Sequence, residues 1–375
     1  MTQMEYITSD CRPAGAAQLS YTYCDFCALF TTVPTLAWRE RCNEIYRSYV
    51  AHRQSGGKDE STYGPTGVPV GRSEMIIDEV SARITGAPKT WLDFGCGSGT
   101  LLVAAGRVFS NTALIGLDFD RHTEDEILAI PKVTRFVTSA SDVAEASIEV
   151  VSMIHVLEHL SEPVEHLAEI RRAMTKEGLL VIQVPDVEAN PYALTVIDHA
   201  IHFERAGLCR LVEAAGFRVE FVTNSLVVGE LTCIARVCGI ADSEAADGLS
   251  IYDVKYLSGS SQTPPGIRAL EYLAEVKDWL ASCATTNAEL GIFGTSIAGT
   301  WAAATLDFAN DFWVDENEDR IGRDWYHRPV LSPNDVPANS LVVLPLAPAK
   351  ARAAYRRLCQ TPGGFRGRMP TSAYP

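Results

Sequence analysis

The segment Asp93–Gly99, which spells Asp-Phe-Gly-Cys-Gly-Ser-Gly, has the residue types and spacing of a ligand-binding loop. Its glycines at 95, 97 and 99 permit backbone angles denied to other residues and let a ligand approach the main chain. A dinucleotide fingerprint requires G-x-G-x-x-G/A, which this spacing does not match. Asp93 would repel a pyrophosphate but suits a ligand that carries an ammonium group. Taken alone, the motif could also be a glycine-rich turn without function.

A second carboxylate follows at a fixed distance. Asp118 ends the apolar run ALIGLD, 21 residues after Gly97. At the end of the second strand of a Rossmann-like unit, a carboxylate can accept hydrogen bonds from both hydroxyls of a ribose. The two signals, in this order across a strand–helix–strand unit, predict a nucleoside site.

The N-terminal region contains a Cys-x-x-Cys knuckle, Cys24 to Cys27, with Cys11 upstream and Cys42 downstream. A structural zinc site requires four closed ligands, usually as paired knuckles. These cysteines, with His52 as another choice for the fourth ligand, predict a zinc site. Reduced, metal-free thiols are the alternative.

A second glycine-rich loop lies near the C-terminus. Gly294 and Gly299 have the spacing of a phosphate-binding loop, but Thr300-Trp301 stands where that loop requires Lys-Ser/Thr, so a nucleotide-hydrolysing site is excluded. Asp315 lies 21 residues after Gly294, which repeats the outline of the first unit. We expect a second Rossmann-like domain that shapes an acceptor site or binds a nucleotide part, or one that is structural or dimerising. Basic residues downstream are candidate phosphate contacts: Arg320, Arg323 and Arg328.

The elements that must position these residues alternate along the chain. Apolar, strand-like runs such as TWLDFG, EVVSMIHV and LLVIQVP alternate with amphipathic runs such as EHLAEIRRAM. This pattern predicts an α/β fold with a mostly parallel seven-stranded sheet covered on both faces, and ligands at the carboxyl ends of its strands. Breaks in composition suggest an N-terminal module (1–65), a central domain (72–238), a C-terminal domain (255–358) and a loosely held tail (359–375).

Composition limits the partners of the chain. The 375 residues carry 32 Lys plus Arg against 47 Asp plus Glu, a net charge of −15. The negative electrostatic field of such a chain repels nucleic acid and anionic membrane surfaces. We therefore expect that neither is a partner. The first residues lack the pattern of a secretory signal, and no apolar stretch reaches the roughly 18 residues of a membrane helix, so we expect a cytoplasmic protein.

Residues 72–238 resemble the class I S-adenosylmethionine-dependent methyltransferases. The likeness rests on DFGCGSG, GLDFD, the HVLEH segment that follows the fourth strand, and Ala-Gly-Phe at 215–217. It implies S-adenosyl-L-methionine as cofactor, with Asp118 at the ribose and His155 beside the methionine portion. The adenine contact should fall near Ser139, where the usual Asp is missing. The residues implied to line the cofactor are Asp93, Phe94, Gly95, Cys96, Gly97, Gly99, Asp118, Phe119, Ser139 and His155.

The three-part layout resembles, more narrowly, the C-methyltransferases of nucleotide-linked keto-deoxysugars. That resemblance implies an acid–histidine pair near the acceptor, matched here by Asp198-His199, although Val196 stands where the family often has Tyr. Removing a proton beside a ketone requires a general base, for which histidine is suited. We therefore expect His199 as base, oriented by Asp198, with His159 and His202 as further candidates.

The expected acceptor is a small sugar-like or natural-product molecule, with or without a linked nucleotide. The protein could act as a homodimer. Three alternatives stay open at this point: an O- or N-methyltransferase of a small metabolite, a non-catalytic S-adenosylmethionine-binding protein, and an NAD-dependent oxidoreductase, whose glycine spacing fits poorly.

Overall fold

The fold was analysed in a computed structural model. The structure describes residues 4–50, 56, 58–59, 61–63, 69–119, 121–238, 263–285, 288–359 and 366–370. His52, the composition break at 239–262 and most of the predicted tail lie outside these residues.

Short antiparallel strands and one helix form the N-terminal part. The helix starts after Thr35, whose hydroxyl accepts a hydrogen bond from the backbone N–H of Trp38 at 3.2 Å, and it buries Trp38, Cys42 and Ile45 on one face. The elements are β1 (Met4–Ile7), β2 (Pro13–Ala17), β3 (Tyr21–Cys24), β4 (Leu29–Thr32), α1 (Leu36–Tyr46), β5 (Ser61–Tyr63) and β6 (Pro69–Gly71). A further helix, α2 (Arg72–Ser81), begins the central domain.

A seven-stranded sheet forms the centre of the molecule. Its strands are largely buried and apolar because helices cover both faces. The elements are β7 (Thr90–Phe94), α3 (Thr100–Val108), β8 (Ala113–Leu117), α4 (Glu124–Leu128), β9 (Val133–Val137), β10 (Ile148–Ile154), α5 (Pro163–Ala173), β11 (Met174–Pro185), β12 (Ile201–Phe203), α6 (Arg205–Ala214), β13 (Phe217–Thr223) and β14 (Glu230–Val237).

The strand order in this sheet is β13-β14-β11-β10-β7-β8-β9. β14 runs antiparallel to both of its neighbours, whereas the other pairings are parallel. Chain connections diverge at the border between β7 and β10, which is the switch point where ligands bind in open α/β sheets. The predicted fold class, a Rossmann-like unit with a mostly parallel seven-stranded sheet, is confirmed.

β12 is not part of the large sheet. It pairs with β4, so that the three-stranded sheet β12-β4-β3 joins the N-terminal region to the segment after β11. The indole N–H of Trp38 adds a 2.7 Å hydrogen bond to the carbonyl of Ile197. The N-terminal region is therefore integrated with the central domain through this segment.

A second, smaller sheet lies in the α/β unit that follows in the chain. In the order β17-β18-β16-β15-β19-β20, every pairing is parallel except that between β17 and β18. The elements are α7 (Pro265–Ala284), β15 (Leu290–Phe293), α8 (Ile297–Thr305), β16 (Phe312–Val314), β17 (Asp324–Trp325), β18 (Arg328–Leu331), β19 (Leu341–Val343), α9 (Pro348–Leu358) and β20 (Gly367–Arg368).

This arrangement agrees with the expected C-terminal Rossmann-like unit. The prediction of a loosely held tail is wrong for Gly367–Arg368, because these residues pair with β19 at the sheet edge. The C-terminal unit also contacts the first hairpin, since Trp301 Nε1 donates to the carbonyl of Glu5 at 3.1 Å.

None of the helices in the described ranges is both long and apolar enough to cross a bilayer.

Candidate active site

The glycine loop after β7 folds tightly over the end of β8. The backbone N–H groups of Gly95 and Cys96 both donate to the carbonyl of Leu117, at 2.7 and 3.0 Å. Gly95 has φ +73°, and a Cβ there would lie 2.3 Å from Cγ2 of Val156. Gly99 has φ +74°, and its Cβ would lie 2.4 Å from Ile130. The side chains of Val156 and Ile130 fill the space beside these two positions, so the main chain forms a close-packed cradle of glycines at the carboxyl edge of the sheet.

Asp118 is positioned beside this cradle. One carboxylate oxygen accepts a hydrogen bond from Gly97 N at 3.0 Å and the other from Phe119 N at 2.8 Å. These two bonds hold the carboxylate at the end of β8, and each of its oxygens can accept more than one hydrogen bond. The predicted pairing of the first loop with Asp118 is therefore present as a physical contact.

Asp93 lies deeper, within β7. Its carboxylate accepts a 2.6 Å hydrogen bond from Ser152 Oγ on β10, and Ser152 in turn accepts one from Trp91 Nε1 at 2.9 Å. Burial raises the pKa of Asp93 to about 7; the bond from Ser152 opposes the rise and nearby Asp118 adds to it. Asp93 is 3% exposed, so its contact with a ligand ammonium stays a prediction.

The remaining predicted cofactor residues differ in exposure. Phe94 and Cys96 are buried under the loop, whereas Phe119 is 61% exposed, with its ring set edge-on to that of Phe94. Ser139 begins the 3-10 helix Ala140–Asp142, where its Oγ accepts from Ser141 N at 3.2 Å. The exposed Phe119 ring offers a flat apolar face beside Asp118, which suits a nucleobase.

His155 follows β10 in an unusual backbone conformation. Its φ is 55°, and its N–H donates to the carbonyl of Gln183 at 2.9 Å. Nδ1 lies 3.0 Å from Glu158 Oε1 and Nε2 lies 3.2 Å from Glu230 Oε2. Burial alone would lower the pKa of His155, but Glu230 and Glu158 more than offset it, so the pKa lies above its ordinary value despite the opposing charge of Arg72.

Two buried acceptor oxygens at this end of the sheet have no hydrogen-bond partner, Glu158 Oε2 and Gln183 Oε1, and Glu230 Oε2 has only its 3.2 Å ion contact with His155 Nε2. Buried polar atoms are nearly always paired in folded proteins. The edge of β10, β11 and β14 is therefore prepared for a ligand that donates hydrogen bonds or carries positive charge. The sequence analysis assigned no role to Glu158 or Glu230. The position of Glu158 between two histidines in HVLEH was a signal that could have found it, whereas the sequence held no signal for Glu230.

The structure brings His159 and His199 together. Their rings are perpendicular, with centroids 4.9 Å apart. Nδ1 of His199 lies 3.1 Å from the carbonyl of Ala193, and burial lowers the pKa of His199 well below its ordinary value, helped by the neighbouring histidines His159, His202 and His155. His199 is therefore neutral at pH 7, as a general base must be before it accepts a proton.

The prediction that Asp198 orients His199 is wrong. The Asp198 carboxylate accepts hydrogen bonds from Ser9 N at 2.9 Å and Ser9 Oγ at 2.5 Å. It also lies 3.4 Å from Nδ1 of His159, which is itself 3.0 Å from the carbonyl of Asp198. Adjacent side chains in an irregular segment diverge, so the acid supports the other histidine. The phenol of Tyr46 completes this environment at 3.2 Å from His159 Nδ1.

His202, the other candidate base, lies on β12 within the three-stranded sheet. Its ring contacts those of Tyr21 and Phe30, and Nε2 is 3.4 Å from Thr32 Oγ1. Burial lowers the pKa of His202 to about 3. These contacts make packing between the N-terminal sheet and the central domain its main role.

The predicted zinc ligands are not brought together, which corrects that prediction. Cys24 and Cys27 share an exposed hairpin turn, where Cys27 N donates to Cys24 Sγ at 3.3 Å. Cys11 is buried in the turn after β1, and Cys42 packs in the core on α1. Among the described residues, the only group of three or more potential ligands within 4.8 Å of one another is Glu158, His159 and His199. The Cys-x-x-Cys spacing therefore corresponds to a local hairpin turn and not to a tetrahedral metal site.

The second glycine loop is built like the first but is closed by an ion pair. Thr295 N donates to Asp315 Oδ2 at 3.1 Å, as Gly97 N does to Asp118. However, the buried guanidinium of Arg320 lies 3.3 Å from that same oxygen. Asp315 is thus neutralised inside its own domain, which favours a structural role for this loop.

Comparison with known proteins agrees with the central site. Residues 72–221 match the family model described as a methyltransferase domain. A protein of Mycolicibacterium smegmatis named "Probable S-adenosylmethionine-dependent methyltransferase" is 25% identical over 221 residues, covering 55% of this chain and 77% of that protein.

Solved structures also align with part of the chain. A methyltransferase in complex with the Haloferax volcanii Trm112 activator is 16% identical, covering 45% of this chain and 91% of that one, with a TM-score of 0.39. The [4+2]-cyclase SpnF is 14% identical, covering 52% and 90%, with a TM-score of 0.39. The assignment rests on the family model and the strand order, not on these alignments. The methyltransferase domain over residues 72–221 and the name of the Mycolicibacterium relative support the predicted enzyme class, a class I methyltransferase.

Proposed function

We propose that this methyltransferase uses S-adenosylmethionine to methylate a carbon atom of a small ketone-bearing acceptor, such as a nucleotide-linked keto-sugar. The name of the Mycolicibacterium relative supports the donor. The observation that carries the donor site is the carboxylate of Asp118, fixed by Gly97 N and Phe119 N beside a loop that admits no Cβ at Gly95.

The residues present fit such a donor. Asp118 suits the ribose hydroxyls, and the exposed ring of Phe119 suits the face of the adenine. When bound, S-adenosylmethionine supplies a methyl group on a positively charged sulfur. The oxygens of Glu158 and Gln183 that have no partner are acceptors near that edge, suited to a cationic ligand.

The acceptor is proposed to approach from the side of His159 and His199. A methyl group on a cationic sulfur is already electrophilic, so the protein mainly aligns it with a nucleophile and excludes water. A carbon nucleophile beside a ketone must first lose a proton. The centre formed by Glu158, His159 and His199 offers two imidazoles and a carboxylate in a mostly buried setting, which supports proton removal there. His199 remains the proposed base, with Asp198 supporting its neighbour His159.

A nucleotide part of the acceptor would extend toward the C-terminal domain, whose α8 and α7 pack with the segment 191–195 next to the histidines. This role for the domain, like a homodimeric state, is a proposal on the basis of the layout.

The test uses purified full-length protein, trideuteromethyl-labelled S-adenosylmethionine and a panel of nucleotide-linked keto-sugars. Carbon methylation is expected to yield a product with an acid-stable labelled methyl group. In addition, S-adenosylhomocysteine-bound protein in D2O should exchange the acceptor's α-proton, and His199→Asn should abolish that exchange while binding S-adenosylhomocysteine normally.

Two outcomes would oppose the proposal. A label on oxygen or nitrogen would identify the enzyme as an O- or N-methyltransferase using the same donor site. Binding of S-adenosylmethionine with no S-adenosylhomocysteine formed from any acceptor would indicate a non-catalytic binding protein.

A further inference from the structure

One cluster of side chains at the acceptor side has the composition of a metal site. A carboxylate oxygen of Glu158 and a ring nitrogen of each of His159 and His199 all lie within 4.8 Å of one another. Two residues come from the Leu157–His159 turn and the third from the segment before β12. A backbone hydrogen bond of 2.8 Å from Ala200 N to Glu158 O fixes these two segments together.

The tautomer of both imidazoles can be inferred from their partners. Nδ1 of His199 faces the carbonyl of Ala193 at 3.1 Å, and Nδ1 of His159 faces the carbonyl of Asp198 at 3.0 Å. A carbonyl oxygen accepts only, so both Nδ1 atoms donate to a carbonyl, which makes the Nε2 atoms the candidates for metal binding. Metal-binding histidines typically donate their other ring N–H to a carbonyl or carboxylate in this way, and the Asp198 carboxylate, 3.4 Å from His159 Nδ1, adds to that support.

Glu158 supplies the third donor. One of its oxygens is 3.0 Å from His155 Nδ1, the other is buried with no hydrogen-bond partner, and the residue is 1% exposed. A buried acceptor oxygen without a partner is rare in folded proteins, which supports a bound cation at this position.

We propose that Glu158, His159 and His199 bind one divalent transition-metal ion through a carboxylate oxygen and two imidazole Nε2 atoms. Two histidines and one carboxylate are the donor set of catalytic zinc and non-haem iron sites, in which further positions stay open to water or substrate. Ligand bonds of about 2.0–2.2 Å bring tetrahedral donor atoms to within about 3.4 Å of one another, so small side-chain rotations close the site. His159, whose side chain is 16% exposed, forms its solvent-facing edge.

The chemical consequence rests on the proposed function. A metal ion held by Glu158, His159 and His199 would polarise the acceptor's carbonyl group and lower the pKa of a bound water. In that case His199 would serve as a ligand, which would replace the role of base proposed for it above.

Binding is tested without acceptor. Protein stripped with EDTA is titrated with Co²⁺ and followed by visible absorption, with stoichiometry from elemental analysis. One Co²⁺ per chain is expected, and Glu158→Gln, His159→Asn and His199→Asn should each weaken binding at least about tenfold, since even outer-shell changes alter metal affinity by 10–100-fold. His166→Asn, a histidine replacement on the outside of α5, and Cys24→Ser/Cys27→Ser should leave binding unchanged.

A second measurement avoids the variants, in case one fails to fold. X-ray absorption of Zn²⁺-loaded wild-type protein should show a first shell of nitrogen and oxygen only. Three results would overturn the proposal: a shell that contains sulfur, metal binding that is weaker than micromolar, or binding by all three variants that equals binding by the wild type. Donor binding is measured on the same stripped protein: S-adenosylhomocysteine binding without metal binding rejects only this inference, whereas metal binding without S-adenosylhomocysteine binding rejects the proposed donor instead.

Discussion

The hydroxyl of Ser9 donates a 2.5 Å hydrogen bond to the carboxylate of Asp198, across 189 residues of sequence. The backbone N–H of Ser9 adds a second bond at 2.9 Å. Through this pair the turn after β1 holds the segment that carries His199, and it places the acid next to His159. The N-terminal region therefore forms part of the histidine centre.

Replacing Ser9 by Ala should destabilise the protein and impair turnover together. Hydrogen bonds to charged groups contribute about 1.5–3 kcal/mol, so a loss of that order in the free energy of unfolding is expected from urea titration. Turnover should fall while S-adenosylhomocysteine affinity stays within about twofold. Ser282→Ala, which removes a hydroxyl bonded to the carbonyl of Trp279 on α7, is the control and should change stability by less than about 0.5 kcal/mol. Wild-type turnover in the Ser9 variant would contradict the proposed positioning role.

Asp118→Ala should weaken S-adenosylhomocysteine binding by roughly 10–150-fold. Hydrogen bonds to a charged carboxylate are worth about 1.5–3 kcal/mol, and each 1.4 kcal/mol corresponds to a tenfold change in affinity. Isothermal titration calorimetry measures the effect. Asp125→Ala on the exposed face of α4 removes a carboxylate of the same type and should leave the affinity unchanged. Equal affinities for the two variants would refute the ribose assignment.

Gly95→Ala and Gly86→Ala separate backbone strain from steric clash. Both glycines have positive φ, +73° and +82°, but a Cβ at 95 would lie 2.3 Å from Val156 whereas a Cβ at 86 has nothing within 4 Å. A left-handed alanine costs about 1–2 kcal/mol, which both variants should show in urea unfolding. Gly95→Ala should lose at least about 1 kcal/mol more, since overpacking typically costs 1–3 kcal/mol. Equal losses would mean that the loop relaxes around the added methyl group.

Asp93 should make stability fall as the pH rises. Its folded-state pKa is about 7 because of burial, against about 3.9 in the unfolded chain, so between these values the native state binds more protons than the unfolded state. Between pH 5 and pH 8 this difference in proton binding lowers the free energy of unfolding by about 2–3 kcal/mol, since each pKa unit corresponds to 1.36 kcal/mol. Asp93→Asn stays neutral and should lack this pH dependence. Unfolding free energies of both proteins at the two pH values give the difference; parallel pH dependences would show that Asp93 stays ionised.

Arg320→Met should destabilise the C-terminal domain by about 3–5 kcal/mol, because it leaves the buried Asp315 carboxylate without its cation. Arg356→Met on the exposed face of α9 is the matched control. Neither variant should alter S-adenosylhomocysteine affinity. A large loss of donor affinity with Arg320→Met would show that the second loop takes part in binding the donor.

The contact between the glycine loop and Asp118 could be predicted because its signals are local. Gly95, Gly97 and Asp118 lie within one strand–helix–strand unit, and the parallel order of neighbouring strands brings their ends to one edge. The alternation of apolar strands and amphipathic helices likewise indicated the large sheet, because each buried strand must be apolar on both faces.

The histidine centre could be predicted only in part. The sequence places Asp198 beside His199, but the partners of Asp198 are Ser9 and His159, which only the tertiary fold brings near. The same limit affected Cys24 and Cys27, whose spacing fits a metal knuckle and equally a hairpin turn. Glu230 had no local signal at all, since it reaches His155 only through the pairing of β14 with β11.

The pairing of β12 with β4 determines which contacts a truncated form of this chain would lose. A fragment starting at residue 72 would keep the glycine loop and Asp118, yet it would leave Ile201–Phe203 as an unpaired edge and Asp198 without Ser9. Such a fragment should retain donor recognition and lose acceptor processing. We therefore expect truncation from one end to separate the two capacities, and the first fifty residues are the segment to exchange when building chimeras with altered acceptor choice.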